Sequence, residues 1–382
     1  LHLERAQISG WGREVIPRSL IALLAAGALA APAGGNDGST GTALPDNPFA
    51  TFVPNKDTRR HRIDYTVWTE ALQAFVVSMG PPLRRIPPPD PGPNGTRIRI
   101  GHNSIYRLDG AMVGFSLMDR EVIANIGQYR RDLEAVADGL DIQSLPRNEQ
   151  LAYWLNLHNV AMVEKVAEVW PIRQPREILV AGVPLDEARF ITVEGVALSP
   201  RDIREKIVYA NWKSPEVIYG FWRGEIGGPA MQRQAFEGRD LSQQLERAAS
   251  EFANSRRGAE RRGDTLHVSR FYSEAAPFFF PDFEADLRAH LGKYVEGKVA
   301  EMLAETEGIK ASLSEYDIAD LSGGYRANAF FSNGRLNPAA VKTLAERQRK
   351  LEYIERKLPR TGTVIFSNID LPGDPPNKGE VE

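Results

Sequence analysis

Apolar residues along this chain recur mostly at the 3.6-residue spacing of helices, with a few short unbroken runs between. Ile63–Met79 carries Val67, Leu72, Phe75, Val76 and Met79 at helical spacing and stops at Gly80-Pro81-Pro82. Asp119 stands where an N-cap belongs for a helix to about Asp138, with Gly139 as its stop. From about Pro146 to Val169 the chain is apolar on nearly every face, which predicts a central buried helix ending at Trp170-Pro171. Ser199-Pro200 opens a helix to about Tyr209, and Leu241–Phe252 is amphipathic. A long helix starts at Asn337-Pro338 and ends at Pro359. Its apolar stripe is Val341, Leu344, Leu351, Ile354 and Leu358, predicted to pack on the chain's own domain rather than on a partner or a membrane.

Extended segments are fewer. Arg97–Ile100 and Ile105–Met118, with Asp109-Gly110 between extended residues, predict a short meander containing a hairpin. Shorter elements follow at Ile178–Val180 and Phe190–Val193, and Val217–Trp222 reads as a buried strand. The pattern is that of a helix-rich α+β fold: a single main domain with a small β-sheet, from about Asp57 to Leu321, and a C-terminal helical appendage.

Residues 1–33 read as a signal peptide. Arg13 and Arg18 precede the apolar run Leu20–Ala31, and Ala28-Leu29-Ala30 or Ala31-Pro32-Ala33 supplies small residues for cleavage. Twelve apolar residues fall short of the ~20 needed to span a bilayer. The expectation is a periplasmic or secreted protein without an integral membrane segment after cleavage; the alternative is an uncleaved anchor or a buried Ala/Leu helix. Residues 34–56 form a flexible lead-in, and 57–146 the N-terminal part of the main domain. That part contains a Pro-rich loop at 80–95, with seven prolines in sixteen residues. Residues 322–382 hold the C-terminal helix and a polar tail.

Composition narrows the chemistry. Of 382 residues none is Cys, which removes thiolate nucleophiles, disulfides and Cys-ligated metals. Lys and Arg total 47 against 50 Asp and Glu, a net charge of -3, so no nucleic-acid partner is expected. The six His stand apart with no metal-ligand spacing, and no phosphate loop, dinucleotide fingerprint or Gly-x-Ser-x-Gly is present. No metal and no cofactor is expected.

Two stretches remain as candidates. Asn156, His158 and Asn159 lie inside the most apolar helix, where a buried amide or imidazole must find partners. They either tie loops to the helix or line a pocket. After Val217–Trp222 come Arg223, Glu225, Gly227, Gly228 and Pro229. In an extended strand Arg223 and Glu225 project to the same side, as a salt bridge or as an anion clamp beside a general acid/base. Gly227 and Gly228 allow a close backbone approach.

At these residues the chain resembles the family called domain of unknown function 547. Tyr153-Trp154-Leu155-Asn156-Leu157-His158-Asn159 is similar to the family's Phe-Trp-Ile-Asn-x-Tyr-Asn. The resemblance continues through Val196–Ser199, Ser214–Val217 and Leu241–Phe252 to Phe271-Tyr272 and Tyr316-Asp317, a family-like core over 147–321. Where the family has a Glu-His pair and two cysteines, this chain has Arg204-Glu205, Arg223 and Gly228. The resemblance therefore implies the fold but no thiol chemistry. Two functions stay open. One is a non-catalytic binding or scaffold role toward a small molecule or a protein. The other is a cofactor-free hydrolase or transferase in which Glu225 is general acid/base, Arg223 positions an anionic group, and His158, Asn156, Asn159, Gly227 and Gly228 complete the site.

Overall fold

A computed structural model describes residues 47–54, 60–84, 101–326 and 337–357. The signal segment, most of the lead-in and of the Pro-rich loop, Arg97–Ile100, Leu358 and Pro359 lie outside them. The fold is mixed α+β, dominated by helices, with one three-stranded sheet and three two-stranded ladders among the described residues.

Helix α1 (Thr66–Phe75) is shorter than its sequence pattern, because the chain turns extended at β1 (Val76–Ser78). Val76 and Val77 are β-branched and suit a pleated ladder. They pair antiparallel with β2 (Ala111–Val113), in register Val76↔Val113 and Ser78↔Ala111. The meander expected around Asp109-Gly110 is thus not a local hairpin. Gly110 takes a positive φ of 72° to enter β2, but the partner strand lies more than thirty residues earlier.

Helix α2 (Arg120–Gly139) begins as its cap requires, Asp119 accepting from the Val122 N–H at 2.9 Å. Asp119→Ala should therefore lower stability by about 1 kcal/mol, read as a lower urea midpoint; an unchanged midpoint would show that water replaces the cap. Helix α3 (Arg147–Val169) matches its expected span and is buried on almost all sides, as an all-apolar helix must be. Arg130 of α2 pairs with the buried Glu164 of α3 and ties the two helices together.

Two hairpins follow, β3 (Leu179–Val180) with β4 (Val183–Pro184) and β5 (Ile191–Val193) with β6 (Val196–Leu198). Helix α4 then runs through Asp202–Val208 in π-helical form and closes with an α turn, Tyr209–Asn211. Its entry is a reciprocal cap: Ser199 Oγ accepts from the Asp202 N–H at 3.0 Å, and Asp202 Oδ2 from the Ser199 N–H at 3.1 Å.

The strand expected at Val217–Trp222 is instead a 3-10 helix, Pro215–Gly220, followed by extended residues. Pro215 sets a helical φ in the first turn, and a short apolar run signals burial without choosing helix or strand. Helix α5 (Leu241–Asn254) packs against this segment. Hairpin β7 (Ala259–Arg262) and β8 (Thr265–Ser269) is extended by β9 (Gly308–Leu313), parallel to β8. Helices α6 (Phe271–Phe279), α7 (Phe283–Leu291) and α8 (Gly297–Ala304) form the crossover between β8 and β9.

The C-terminal helix α9 (Pro338–Lys357) does dock on the chain's own domain, with Leu344 of the expected stripe against the core and Leu351 beside Gly80, but polar side chains are buried with them and Val341 is not. Val341 is 45% exposed, whereas Thr343, Glu346 and Lys350 are buried. Lys350 Nζ donates to the carbonyls of Met79 and Leu108 at 3.1 and 2.6 Å, and Glu346 holds Arg107. The buried main-chain carbonyls of Met79 and Leu108 reward a long cationic side chain, so Lys350 joins the apolar residues on the inner face.

Candidate functional site

Asn156, His158 and Asn159 share the middle of α3, and their side chains go to three different partners. The Asn156 amide clamps one residue of the loop before α5. Its Nδ2 donates to the Phe236 carbonyl at 2.8 Å and its Oδ1 accepts from the Phe236 N–H at 3.0 Å. Asn159 bridges the exit of the 3-10 segment, donating to the Gly220 carbonyl and accepting from the Trp222 N–H, each at 2.9 Å. Extended loops carry main-chain groups that no helix or ladder satisfies, and buried amides with one donor face and one acceptor face supply both.

His158 is wholly buried and held edge-on against Phe221. Its Nδ1 faces Asn159 Oδ1 at 3.1 Å, and its Nε2 faces Arg204 Nη1 at 3.2 Å. A guanidinium only donates, so Nε2 is the acceptor and Nδ1 carries the proton. Burial, reinforced by the Arg204 charge, lowers its pKa to about 3. The ring is therefore neutral, with both nitrogens occupied, and has no path to a substrate.

Arg204 is the residue that joins this helix to the next layer. It sits on α4 among Ile203, Ile207 and Val208, itself buried, and makes a two-pronged pair with Asp186 at 2.6 and 2.7 Å. The Asp186 carboxyl is held well below the usual carboxylate range: burial alone would raise it, but Arg204 overcomes that by charge and hydrogen bonding. The sequence marked Arg204 only as a departure from the family's Glu-His pair, and Asp186 not at all. A charge at position i with apolar residues at i+3 and i+4 was the available signal, because it places a cation on a buried face that must find an anion.

Arg223 and Glu225 do not form the expected pair. Gly224 lies between them at φ +86°, and the chain turns there instead of alternating. Arg223 pairs with Glu274 of α6, whereas the backbone at Glu225 bridges to Ile318. The Glu225 carboxyl accepts no hydrogen bond from any described residue, and its pKa is pushed up to about 7. Burial is the main cause, countered by the Arg223 charge and increased by Glu274. Arg176, stacked 4.0 Å above the Tyr316 ring, also lowers it. Tyr209, closing α4, is buried against Phe221, Phe278 and Phe279, and burial raises its hydroxyl to about 12 despite Arg204 and Arg223.

Gly227 and Gly228 serve chain packing. A Cβ on Gly227 would stand 2.5 Å from the Glu315 carbonyl oxygen, to which the Gly227 N–H donates at 2.9 Å. The Gly227 carbonyl accepts from Ser269 Oγ, and that of Gly228 from Arg257 Nε. The close approach is made at Gly227 alone, by the segment after β9; a Cβ on Gly228 would stand no nearer than 3.8 Å from Glu225.

One electrostatic neighbourhood thus contains His158, Arg204, Asp186, Tyr209, Arg223, Glu274 and Glu225. Asn156 is outside it, and Asn159 is joined to it only through His158. Among the described residues, no group of three His, Asp or Glu side chains is arranged to hold a metal ion, and no helix is long and apolar enough to cross a membrane.

A helix-rich α+β fold whose central helix anchors its loops through two asparagines is the class that geometry defines. Residues 142–253 match the family described as protein of unknown function, DUF547, and the chain carries a DUF547 domain there. The match covers the buried helix, both short hairpins, the π-helical turn and all but the last residue of α5; the resemblance read as far as Leu321 extends beyond it. No curated protein and no solved structure matches the chain.

Proposed function

We propose that this is an exported protein with a non-catalytic binding role, in which the DUF547 segment is the rigid frame. The observation that carries this reading is the saturation of the α3 polar side chains. Asn156, His158 and Asn159 end on protein partners at every polar atom, so none is left to touch a substrate. Arg223 is likewise engaged by Glu274.

One observation favours the second reading. Glu225 has no hydrogen-bond partner among the described residues, and a pKa of about 7 suits a group that gives and takes protons near neutrality. Purified chain from about Gly34, incubated at pH 7 with chromogenic esters, phosphoesters and glycosides, separates the two. The binding role expects no turnover that Glu225→Gln abolishes. A turnover lost in a normally folded Glu225→Gln variant would establish the acid/base reading.

A further inference from the structure

A cleft of about 480 Å³, lined by none of the Glu225 cluster, lies between the end of α1, the start of β2, the loop at 230–234 and α5. It shares Gln234, Gln244 and Arg247 with an adjoining cleft of about 250 Å³. The larger volume falls in the range of small-molecule sites, and the smaller lies just below it. The floor is small and apolar, from Ala111, Ala230 and Met231. Gly110 beside them cannot be larger, because a Cβ there would stand 2.7 Å from the buried Arg257 guanidinium.

The walls have an uneven charge. Glu251, the one carboxylate lining the larger cleft among the described residues, is already held by Arg257 at 2.6 and 2.9 Å. Arg247 has no ion pair or hydrogen bond among the described residues. Arg233 donates only to the Gln73 main-chain carbonyl, at 3.1 Å. Two exposed guanidiniums without carboxylates therefore stand at a cleft whose acid is neutralised, which selects an anionic group on the ligand.

The amides select the rest of it. Gln73 and Gln234 reach the cleft with side-chain groups that have no partner among the described residues, and Gln232 has only its Nε2 engaged, by the Ala230 carbonyl. A carboxamide presents a donor and an acceptor side by side, the complement of a hydroxyl group. A bare phosphate or dicarboxylate offers acceptors only and would leave the amide oxygens unanswered. Among the described residues no aromatic ring lines the cleft, so they offer a nucleobase no stacking surface.

We propose that this cleft binds an acidic saccharide, one or two sugar rings bearing a carboxylate. Arg233 and Arg247 hold the carboxylate and the glutamines hold the hydroxyls. The smaller cleft takes the second ring; there Arg239 is paired with Glu237 and Asp240, so its walls suit neutral hydroxyls better than a second carboxylate. This inference rests on the binding role proposed above and supplies its ligand class.

Titration calorimetry on the chain from about Gly34 tests it, with three uronic-acid disaccharides as probes and lactose and tartrate as the neutral and hydroxy-dicarboxylate comparisons. At least one uronide is expected to bind at least tenfold more tightly than lactose and tartrate. Arg247→Gln and Arg233→Gln should each weaken that binding about tenfold, equivalent to about 1.4 kcal/mol. Lys298→Gln, a surface cation outside the cleft, should leave it unchanged. Absence of uronide binding, or binding indifferent to Arg233 and Arg247, overturns the proposal and leaves the binding role standing with another ligand. Arg247-dependent binding accompanied by cleavage that Glu225→Gln abolishes would confirm the ligand class and overturn the non-catalytic reading.

Discussion

Replacing Arg204 with Met lowers the stability of this protein by about 3–5 kcal/mol, the cost of leaving a buried charge without its partner. Arg204 is 3% exposed, and its guanidinium answers two groups at once, the Asp186 carboxylate and the Nε2 of His158. Met fills the same volume, so the loss isolates the charge and the hydrogen bonds from the packing. Asp186 draws some water, its side chain being 26% exposed, and keeps an exposed second partner in Arg201 Nε at 3.2 Å, which holds the expected loss to the lower end of that range. Replacing Asp186 by Leu in the Arg204→Met background should recover part of the loss, because the carboxylate left with only the exposed Arg201 goes with it.

The pair also carries an acid dependence. The Asp186 pKa is depressed in the folded state, so its contribution is present above the ordinary value of 3.8 and lost as pH falls through the folded value. Arg204→Met should remove that low-pH loss along with the stability. Urea unfolding followed by tryptophan fluorescence measures both. A change below about 1 kcal/mol would equate this pair with an ordinary surface ion pair and refute its anchoring role.

Glu225→Gln is expected to stabilise the protein at pH 8 and to leave it unchanged at pH 4. The folded-state pKa of Glu225 is about 7, above the ordinary 4.5. Its contribution is therefore fully present below 4.5 and is lost as pH rises through 7, since the folded protein must then ionise a half-buried acid. Gln imitates the protonated form at every pH. The stability gained by the variant should rise between pH 4.5 and 7 and level off at about 1–3 kcal/mol, after allowance for the solvent that reaches this side chain.

His158 acts in the opposite sense. Its pKa falls from 6.5 to about 3, so the unfolded chain takes up a proton that the folded one refuses, and stability drops as pH falls below 6.5. Between 4.5 and 6.5 the two residues offset one another. Glu225→Gln should consequently show a steeper acid-side decline than the parent chain, and a variant difference that is flat with pH would exclude a raised Glu225 pKa.

Much of the helical scaffold was legible because its signals are local. Asp119 and Gly139 bracket α2, and Pro146 and Trp170 flank α3 at the expected boundaries, since caps and breakers act within a turn of where they stand. Burial of α3 was legible too, because no polar face interrupts it. The run Val217–Trp222 was legible as buried but not as a 3-10 turn, since its apolar residues fit both geometries and the neighbours chose. For α9 the spacing located the helix and turned Leu344 and Leu351 toward the domain, but it did not show that polar residues share that face. Lys350 is inside because the Met79 and Leu108 carbonyls happen to lie within its reach.

The candidate site divides in the same way. That Asn156 and Asn159 need hydrogen-bond partners follows from one-dimensional information, a polar residue in an apolar helix. That those partners are Phe236, Gly220 and Trp222 does not, for they lie more than sixty residues away. Nor could spacing show that Gly224 breaks the alternation and sends Arg223 to Glu274, or that Arg204 meets Asp186 and His158. Sequence by itself determined α2, α3 and their ends, the place of α4, α5 and α9, and that α3 had to be inside, because propensity, capping and hydrophobic period operate over a few residues. Tertiary structure alone decided which charges meet, which acid is left without a partner and where the open cleft lies, because Coulomb and hydrogen-bond energies depend on distances in space that the order of residues does not encode.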